Sequence, residues 1–274
     1  MAVTMADITK LRKMTGAGMM DCKNALTDAE GDFDKAMKII REKGQAVAAK
    51  RSDREASEGC VLVKVEEGFG AIIALKCETD FVAQNADFVK LTQDILDAAV
   101  ANKCKTLGEV LALPMGDATV AQAVTDRTGI TGEKMELGAY EFVNGELTVS
   151  YIHPGNKLAT VVAFNQAGVE HQMARDIAMQ VAAMNPVSVR PEEVPQNIID
   201  QELEIAKDKA RQAGKPENLL DRIAQGALQK YYKENTLLQQ EFVKDAKLTI
   251  EQYLHSANKE LTVVAFKRVT LNVD

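Results

Sequence analysis

The sequence predicts an α+β fold, and three features of its hydrophobic pattern support that prediction. Residues 1–44 repeat apolar side chains at helical spacing, whereas the period changes to two from Cys60 onward. A strand pair that runs into an amphipathic helix occurs twice, near residues 60–100 and 145–184. The C-terminal residues alternate again, and a terminal strand needs a sheet that earlier residues have built. We therefore expect two related subdomains with antiparallel sheets and additional helices around them.

The N-terminal residues 1–44 are expected to form three short helices. Gly16-Ala17-Gly18 breaks the first, Asp32 is a natural N-cap for the third, and Gly44 is expected to stop it. Such a small unit buries little apolar surface, which favours docking over catalysis. Residues 45–57 are rich in alanine and charge and predict a helical or flexible tether. Ile8, Leu11 and Met14 are expected to form one apolar face of the first helix, and the second helix carries Met19, Met20, Ala25 and Leu26.

The first strand pair begins after this tether. Residues 60–65 and 71–77 flank a glycine-containing turn and predict a hairpin. A helix is expected from about Asp87, because apolar residues follow it at helical spacing. Residues 104–128 predict two further short helices that end at Thr128-Gly129.

The second strand pair follows the same plan. Residues 134–142 predict a strand, and Asn144-Gly145 is a tight-turn signal that would join it to a partner at 147–152. Residues 158–164 form a continuous apolar run that predicts a buried strand. A helix from about 169 to 184 then completes the unit.

A pair of longer helices is expected beyond a connection punctuated by prolines. Apolar residues alternate spacings of four and three, as in a coiled-coil seam, and Gly214-Lys215-Pro216 turns the chain. The seam covers only about two heptads in each direction, so an ordinary packed helix pair stays open as the alternative. Residues 261–273 predict the terminal strand. The expected seam residues are Ile199, Leu203, Ala206, Ala210 and Ala213, with Leu220, Ile223, Ala227 and Tyr231 on the return helix.

These elements predict a division of the chain into several parts. The predicted parts are a three-helix N-terminal domain (1–45), a linker (46–57), a first core subdomain (58–140), a second core subdomain (141–190 and 236–274) and a coiled-coil hairpin (191–235).

Composition and charge exclude several classes of function. The 274 residues carry 33 Lys and Arg against 40 Asp and Glu, and aromatic residues are only 5%. Direct binding of nucleic acid is therefore disfavoured, because it needs local positive charge or stacking aromatics. We see no apolar run of about 20 residues and no basic, apolar leader, so a cytoplasmic protein without a membrane partner is expected. The four cysteines lack metal-ligand spacing and predict reduced thiols.

Catalytic motifs are also missing from the sequence. It contains no phosphate-binding loop, dinucleotide fingerprint, zinc-protease helix or nucleophile elbow. His153 stands beside a turn, where a histidine is usually a surface residue. Cys77 precedes Glu78 and Asp80, and these acidic neighbours would raise the pKa of its thiol. No catalytic residue, metal ligand or cofactor is expected.

The most unusual segment, residues 76–85, lies between a predicted strand and a predicted helix. The pattern alone favours Asp80 as a helix cap and Phe81 as a core anchor. In the alternative, Asp80 and Phe81 stand on a rigid loop as a wedge for a partner protein.

Several motifs resemble one known family in register. Residues 11–26 (LRKMTGAGMMDCKNAL) closely resemble the N-terminal signature of the bacterial elongation factor Ts family, and residues 77–83 (CETDFVA) are similar to its second signature. Residues 152–157 (IHPGNK), the helix at 173–184 and the segment 188–216 follow in the expected order. The resemblance covers essentially the whole chain.

The resemblance implies a guanine nucleotide exchange factor, not an enzyme, that acts on the translational GTPase elongation factor Tu. The family fold has a ubiquitin-associated-like N-terminal domain, a two-subdomain α+β core and an inserted coiled-coil hairpin. Thr79, Asp80, Phe81 and Val82 match the segment that displaces Mg²⁺ from the GDP-bound GTPase and promotes GDP release, after which GTP expels the factor. Arg12, Met19 and Met20 match the surface by which the family's N-terminal domain docks on the GTPase domain. His153 lies in the second core subdomain, which in the family faces the GTPase's third domain.

Some consequences of the resemblance stay open. One of Met19 and Met20 could instead fill the core of the small N-terminal unit. A homodimer or a heterotetramer could form through the core or the coiled coil. Some family members carry a further C-terminal helical module, and no contact from such an element is expected where the chain ends at Asp274.

The alternative from a different functional class is a small α+β enzyme. Asp80 and His153 would then converge as acid and base, in a concave pocket that perturbs the pKa of His153. Neither residue has a recognisable catalytic partner nearby in the sequence.

Overall fold

The computed structural model describes residues 3–271 and confirms the α+β class. The helices are α1 (Met5–Thr15), α2 (Met19–Asp28), α3 (Phe33–Lys50), α4 (Asp80–Ala83), α5 (Ala86–Ala101), α6 (Leu107–Ala112), α7 (Val120–Thr131), α8 (His171–Met184), α9 (Gln196–Gln212), α10 (Leu220–Asn235) and α11 (Ile250–His255). The strands are β1 (Glu58–Glu66), β2 (Phe69–Cys77), β3 (Pro114–Met115), β4 (Ala118–Thr119), β5 (Glu136–Asn144), β6 (Leu147–Ile152), β7 (Leu158–Phe164), β8 (Glu241–Phe242), β9 (Asp245–Thr249) and β10 (Val263–Thr270).

Two three-stranded antiparallel sheets form the centre of the molecule. Their strand orders are β1-β2-β5 and β10-β7-β6, so β2 and β7 are the central strands. The sheets pack on each other, while α5 covers the outer face of the first and α8 that of the second. Because β2 and β7 are buried on both faces, their sequences are almost continuously apolar. The apolar residues between the sheets are Val61, Ile72, Ala74, Val143, Ala159, Val161, Ala163 and Val269.

The predicted recurrence of a strand pair and a helix is confirmed. In each half, an antiparallel hairpin leads into a helix, and a later strand returns to pair with the second hairpin strand. The terminal strand is also confirmed as β10, although the predicted Val273 lies outside the described residues. The halves differ in what they insert before the returning strand: α6 and α7 in the first, and α9 to α11 in the second.

The predicted hairpin at Asn144-Gly145 is wrong. Strand β5 pairs with β2, whereas β6 pairs with β7, so this connection carries the chain from one sheet to the other. The type I′ hairpin turn that Asn-Gly favours needs positive φ at both central residues, and neither Asn144 nor Gly145 has one. Gly145 is required by close approach instead, because a Cβ there would lie 2.7 Å from the carbonyl oxygen of Phe164. Its N–H donates to the carbonyl oxygen of Gly68 at 2.9 Å, which joins both hairpins at this end.

The N-terminal residues form the three expected helices around a small core. Asp32 caps α3 as predicted, and its carboxylate accepts hydrogen bonds from two backbone N–H groups. Met14 is 53% exposed, so its predicted place on the buried face of α1 is wrong. The buried residues of this unit are Ile8, Leu11, Ala17, Cys22, Ala25, Leu26, Ala29 and Ala36.

Two glycines that were expected to end helices lie instead in helix interiors. Helix α3 continues past Gly44 to Lys50, and α7 continues past Gly129 to Thr131, where Gly132 is its left-handed C-cap. Gly44 and Gly129 face each other, since a Cβ on Gly129 would lie only 2.3 Å from Cα of Gly44. They allow two backbones to approach closely, which a local sequence pattern does not reveal. The predicted boundary between 1–45 and 46–57 therefore falls within a helix.

Helices α9 and α10 form the expected helix pair joined by a short turn. Ala213 and Ala227 are exposed, so their predicted places in the seam are wrong. Helix α10 is rotated relative to the prediction, so that Ala224 is buried against α9 in place of Ala227. The remaining domain divisions stay predictions, and the boundary at 140/141 falls within β5. The buried seam residues are Ala206, Ala210, Leu220, Ala224 and Leu228.

Candidate partner-binding site

Thr79 begins the short helix that follows the first hairpin. It is the N-cap of α4, and its Oγ1 accepts from the N–H of Val82 at 3.4 Å. The same hydroxyl donates to a carboxylate oxygen of Glu133 at 2.6 Å, and the Thr79 N–H donates to the other oxygen at 3.0 Å. The pattern-based assignment of Asp80 as the cap is therefore wrong by one residue. Asp80 is the first residue of the helix.

Phe81 points away from the protein. Its side chain is 86% exposed, the highest value among the large apolar residues that the structure describes. The pattern-based expectation of a core anchor is wrong. Val82 and Ala83 supply the anchor, because they pack against the apolar core under the first sheet. One turn of helix thus fixes its apolar side to the core and presents an aromatic ring outward.

Glu78, the residue before Thr79, attaches the same segment through its side chain. Its carboxylate accepts from the Lys134 N–H at 2.7 Å and from the Arg51 guanidinium at 3.1 Å. These interactions, led by the Lys134 N–H, hold the pKa of Glu78 below its ordinary value. Glu78 and Thr79 are therefore both tied to the turn at residues 133–134 that follows α7. Phe81 stands on a rigid support.

Cys77 lies directly before this segment and is buried. Burial, together with the charge of Glu133, raises the pKa of its thiol to about 12. The sequence predicted the direction correctly, although it attributed the shift to Glu78 and Asp80. A thiol with this pKa is not a nucleophile near neutral pH.

Asp80 and His153 both lie on the exposed surface. The charge of Asp80 acts on Lys157, whose Nζ lies 2.8 Å from a carboxylate oxygen of Glu58. Glu58 is the main cause that raises the pKa of the Lys157 ammonium, and the charge of Asp80 adds a smaller contribution in the same direction. His153 Nδ1 lies 3.0 Å from the hydroxyl of Tyr151. Five cavities described within residues 3–271 are lined by neither Asp80 nor His153, so none of these five is the pocket that the enzyme alternative expects. In that same part of the chain, no cluster of three His, Cys, Asp or Glu residues could hold a metal ion.

The N-terminal candidate residues form a second exposed surface. Met19 is 41% and Met20 is 63% exposed, so the alternative that one of them fills the core is wrong. Arg12 is also exposed, and Met14 adds to the same end of the unit. Methionine side chains are flexible and polarisable, which suits a surface that adapts to a partner. We call Arg12, Met14, Met19 and Met20 the methionine surface.

Helix α7 lies between the methionine surface and the Phe81 segment. A Cβ on Gly16 would lie 3.4 Å from Cδ1 of Ile130. Nη2 of Arg127 donates to Oδ1 of Asn85 at 3.1 Å, just after α4. Sequence reasoning missed Arg127, Gly129 and Glu133, because their partners are distant in the chain and no local pattern marks them. The two hydrogen bonds that Glu133 accepts from Thr79 could be recognised only in the structure.

Comparison with known proteins identifies relatives along the whole chain. The family model described as elongation factor TS matches residues 78–272. The chain is 72% identical over 275 residues to a protein of Porphyromonas gingivalis named elongation factor Ts, with all of both chains covered. Proteins of the same name from Bacteroides fragilis and Azobacteroides pseudotrichonymphae are 59% and 54% identical, again over the full length of both chains. Within residues 3–271, no helix has both the length and the apolar character that crossing a membrane requires.

Proposed function

The chain belongs to the elongation factor Ts family, and on that premise we propose that it is a guanine nucleotide exchange factor for elongation factor Tu. It acts in translation elongation by binding the GDP-bound GTPase and promoting GDP release. It performs no covalent chemistry of its own. The observation that carries the proposal is the outward Phe81 on a segment fixed at Glu78 and Thr79.

Phe81 acts as a wedge on the partner. An exposed phenylalanine loses apolar hydration when it enters a cleft, so insertion is favourable. Rigid support matters because a wedge on a flexible loop would relax instead of moving the partner's elements. Asp80 stands beside the ring and brings a carboxylate close to the partner's magnesium site.

Displacement of Mg²⁺ links the wedge to GDP release. A P-loop GTPase holds Mg²⁺ through a Ser or Thr hydroxyl and water-mediated carboxylates, and the ion neutralises phosphate charge. A shift of the helices around that site moves these ligands away from the ion. The diphosphate then loses its main neutralising charge, and GDP dissociates faster.

Thermodynamic linkage explains how the factor leaves again. If the factor weakens nucleotide binding, nucleotide weakens binding of the factor by the same ratio. GTP, once bound, therefore expels the factor. This cycle needs no nucleotide motif in the factor itself, in agreement with the motifs that the sequence lacks.

Docking involves surfaces besides the wedge. We assign the methionine surface to the GTPase domain of the partner and His153 to its third domain. No nucleic-acid or membrane partner is included, since the net charge is −7. We place the protein in the cytoplasm, and a homodimer or heterotetramer through the core or the helix pair is part of the proposal.

The test is stopped-flow release of a fluorescent GDP analogue from purified elongation factor Tu at fixed Mg²⁺. The intact chain accelerates release, and Phe81→Ala lowers the saturating rate at least about tenfold, as for a buried aromatic anchor. Val243→Ala is the control, because it removes an apolar side chain that is 50% exposed on the β8–β9 turn. Absence of acceleration by the intact chain would overturn the function. Undiminished acceleration by Phe81→Ala would overturn the wedge.

A further inference from the structure

The end of α7 contacts the segments of the chain that carry the methionine surface and Phe81. We call residues 127–133 the α7 strut. The strut includes the last turns of α7 and the left-handed cap at Gly132. None of these residues belongs to either surface.

The first contact joins the strut to the N-terminal helices. Gly129 and Gly44 bring the backbones of α7 and α3 together without side chains between them. Ile130 reaches the Gly16 turn, which directly precedes Met19 and Met20. The position of the methionine surface is therefore determined by how closely α3 lies on α7.

Polar contacts at the same interface contribute little. Arg41 and Asp126 form an ion pair at 3.5 Å, and Gln45 lies 3.5 Å from Gln122. Exposed pairs of this kind are worth roughly 1 kcal/mol or less. The glycine contact is thus the feature that sets the separation.

The second contact joins the strut to the Phe81 segment. Glu133 accepts both the N–H and the hydroxyl of Thr79, the N-cap of α4. Arg127, whose side chain is only 13% exposed, donates to Asn85 and pairs with Asp87 at 3.3 Å. The N-cap of α4 is held by Glu133, and Asn85, two residues beyond the last residue of α4, is held by Arg127.

We propose that the α7 strut positions the methionine surface and Phe81 at a fixed separation, so that one GTPase engages both at once. The proposal rests on the exchange function proposed above and assigns a positioning role to Arg127, Gly129 and Glu133. Two surfaces on one rigid body bind with a high effective concentration, which falls when their spacing is wrong or variable. The strut therefore raises the affinity for the partner and directs the wedge without touching the partner itself.

The first experiment changes the spacing alone. Gly129→Ala places a Cβ 2.3 Å from the backbone of Gly44, so α3 must move away. We expect the concentration of the factor at half-maximal exchange to rise about tenfold. Gly44→Ala gives a smaller rise, because its Cβ would meet Gly129 at 3.4 Å. The control is Gly226→Ala in α10, where a Cβ meets nothing within 4 Å.

A distance measurement separates positioning from simple loss of stability. Lys23→Cys and Gln84→Cys place thiols on exposed sites beside the two surfaces, and all four native cysteines are buried. Spin labels on these thiols give one narrow distance distribution in the parent chain and in Gly226→Ala. In Gly129→Ala we expect a longer or broader distribution in a protein that still unfolds cooperatively.

Glu133 supplies a second arm that leaves the helix contact intact. Glu133→Ala lowers the saturating exchange rate about five- to tenfold, since the charged acceptor of the Thr79 cap is lost. Half-maximal concentration changes little, because the methionine surface stays in place. Glu133→Gln keeps one acceptor oxygen and restores part of the rate.

The outcomes distinguish the strut from the exchange function. If the parent chain accelerates exchange while Gly129→Ala matches Gly226→Ala in half-maximal concentration and in label distance, the strut is overturned and the function stands. Unchanged saturating rates in Glu133→Ala would overturn the second contact. A parent chain without exchange activity would instead overturn the function, and the label distances would still test the spacing.

Discussion

The Nη1 atom of Arg51 donates to both carboxylate oxygens of Glu78, at 3.1 Å each. Arg51 is the C-cap residue of α3, and Glu78 directly follows β2. The pair joins the last turn of the N-terminal helices to the segment that carries Phe81. Glu78 is also held by the Lys134 N–H, so three parts of the chain meet at one carboxylate.

The lowered pKa of Glu78 predicts a dependence of stability on acid. A carboxyl whose pKa is lower in the folded state stabilises the protein above its unfolded pKa, and this contribution is lost as the pH falls through the folded pKa. Glu78→Gln should therefore lower the melting temperature at pH 7, and this difference should shrink as the pH falls below the ordinary pKa of a glutamate and through the folded pKa of Glu78. Melting curves against pH, followed by circular dichroism, measure this difference. Glu192→Gln, at an exposed position, is the control, and parallel curves for parent and Glu78→Gln would contradict the prediction.

Local patterns predicted the elements well because most of their signals are short-range. The Asp32 cap, the two strand-and-helix units and the terminal strand depend on neighbouring residues, and the structure contains all of them. The predictions that Gly44 and Gly129 end helices failed because these two residues, 85 positions apart in the chain, contact each other where α3 and α7 cross. The local sequence around a glycine that ends a helix does not differ from that around a glycine at a helix crossing. The hairpin predicted at Asn144-Gly145 failed for a similar reason, because β5 pairs with β2, which lies about 60 residues earlier in the chain, and not with β6.

The candidate site shows a different limit of sequence reasoning. A phenylalanine among apolar residues predicts burial, and burial is the usual outcome. Phe81 is exposed because Val82 and Ala83 already anchor the turn, so the ring is free to face outward. Only the family resemblance distinguished these two interpretations, and nothing local pointed to Glu133.

Gly226 and Gly214 predict opposite effects of the same substitution. At both positions an added methyl group would meet nothing within 4 Å, but Gly226 lies within α10 while Gly214 has a φ of +71°. Alanine at Gly226 should stabilise the protein by about 0.5–1 kcal/mol, because it restricts the unfolded chain and favours helix. Alanine at Gly214 should destabilise it by about 1 kcal/mol through left-handed strain. Urea unfolding of the two variants decides this, and equal midpoints would contradict it.

Substitution of Asp176, in the helix α8 that covers the second sheet, is expected to cost more stability than the Gly214 substitution. Burial by itself would raise its pKa, but Lys244 at 2.7 Å, Gln172 at 2.7 Å and Tyr253 at 3.1 Å hold the pKa below its ordinary value. Asp176→Ala leaves these donors without their acceptor and should cost about 2 kcal/mol, less than a fully buried pair because Lys244 is half exposed. Chemical denaturation at pH 7 measures the loss. Because the folded pKa is lowered, the difference from the parent should shrink as the pH falls below the ordinary pKa of an aspartate and through the folded pKa of Asp176.

Removal of Mg²⁺ tests the chemical step of the proposed exchange. If Phe81 accelerates GDP release by moving the ligands of Mg²⁺, a GTPase without Mg²⁺ has already undergone that change. The acceleration by the intact chain should then fall toward the smaller value that Phe81→Ala gives in the presence of Mg²⁺. Asp80→Asn removes the nearby charge while keeping the shape of the segment, so it separates an electrostatic contribution from the wedge. GDP release is measured at several Mg²⁺ concentrations and with a chelator present. An acceleration that is equally large with and without Mg²⁺, and still depends on Phe81, would show that the wedge acts on the nucleotide site by another route.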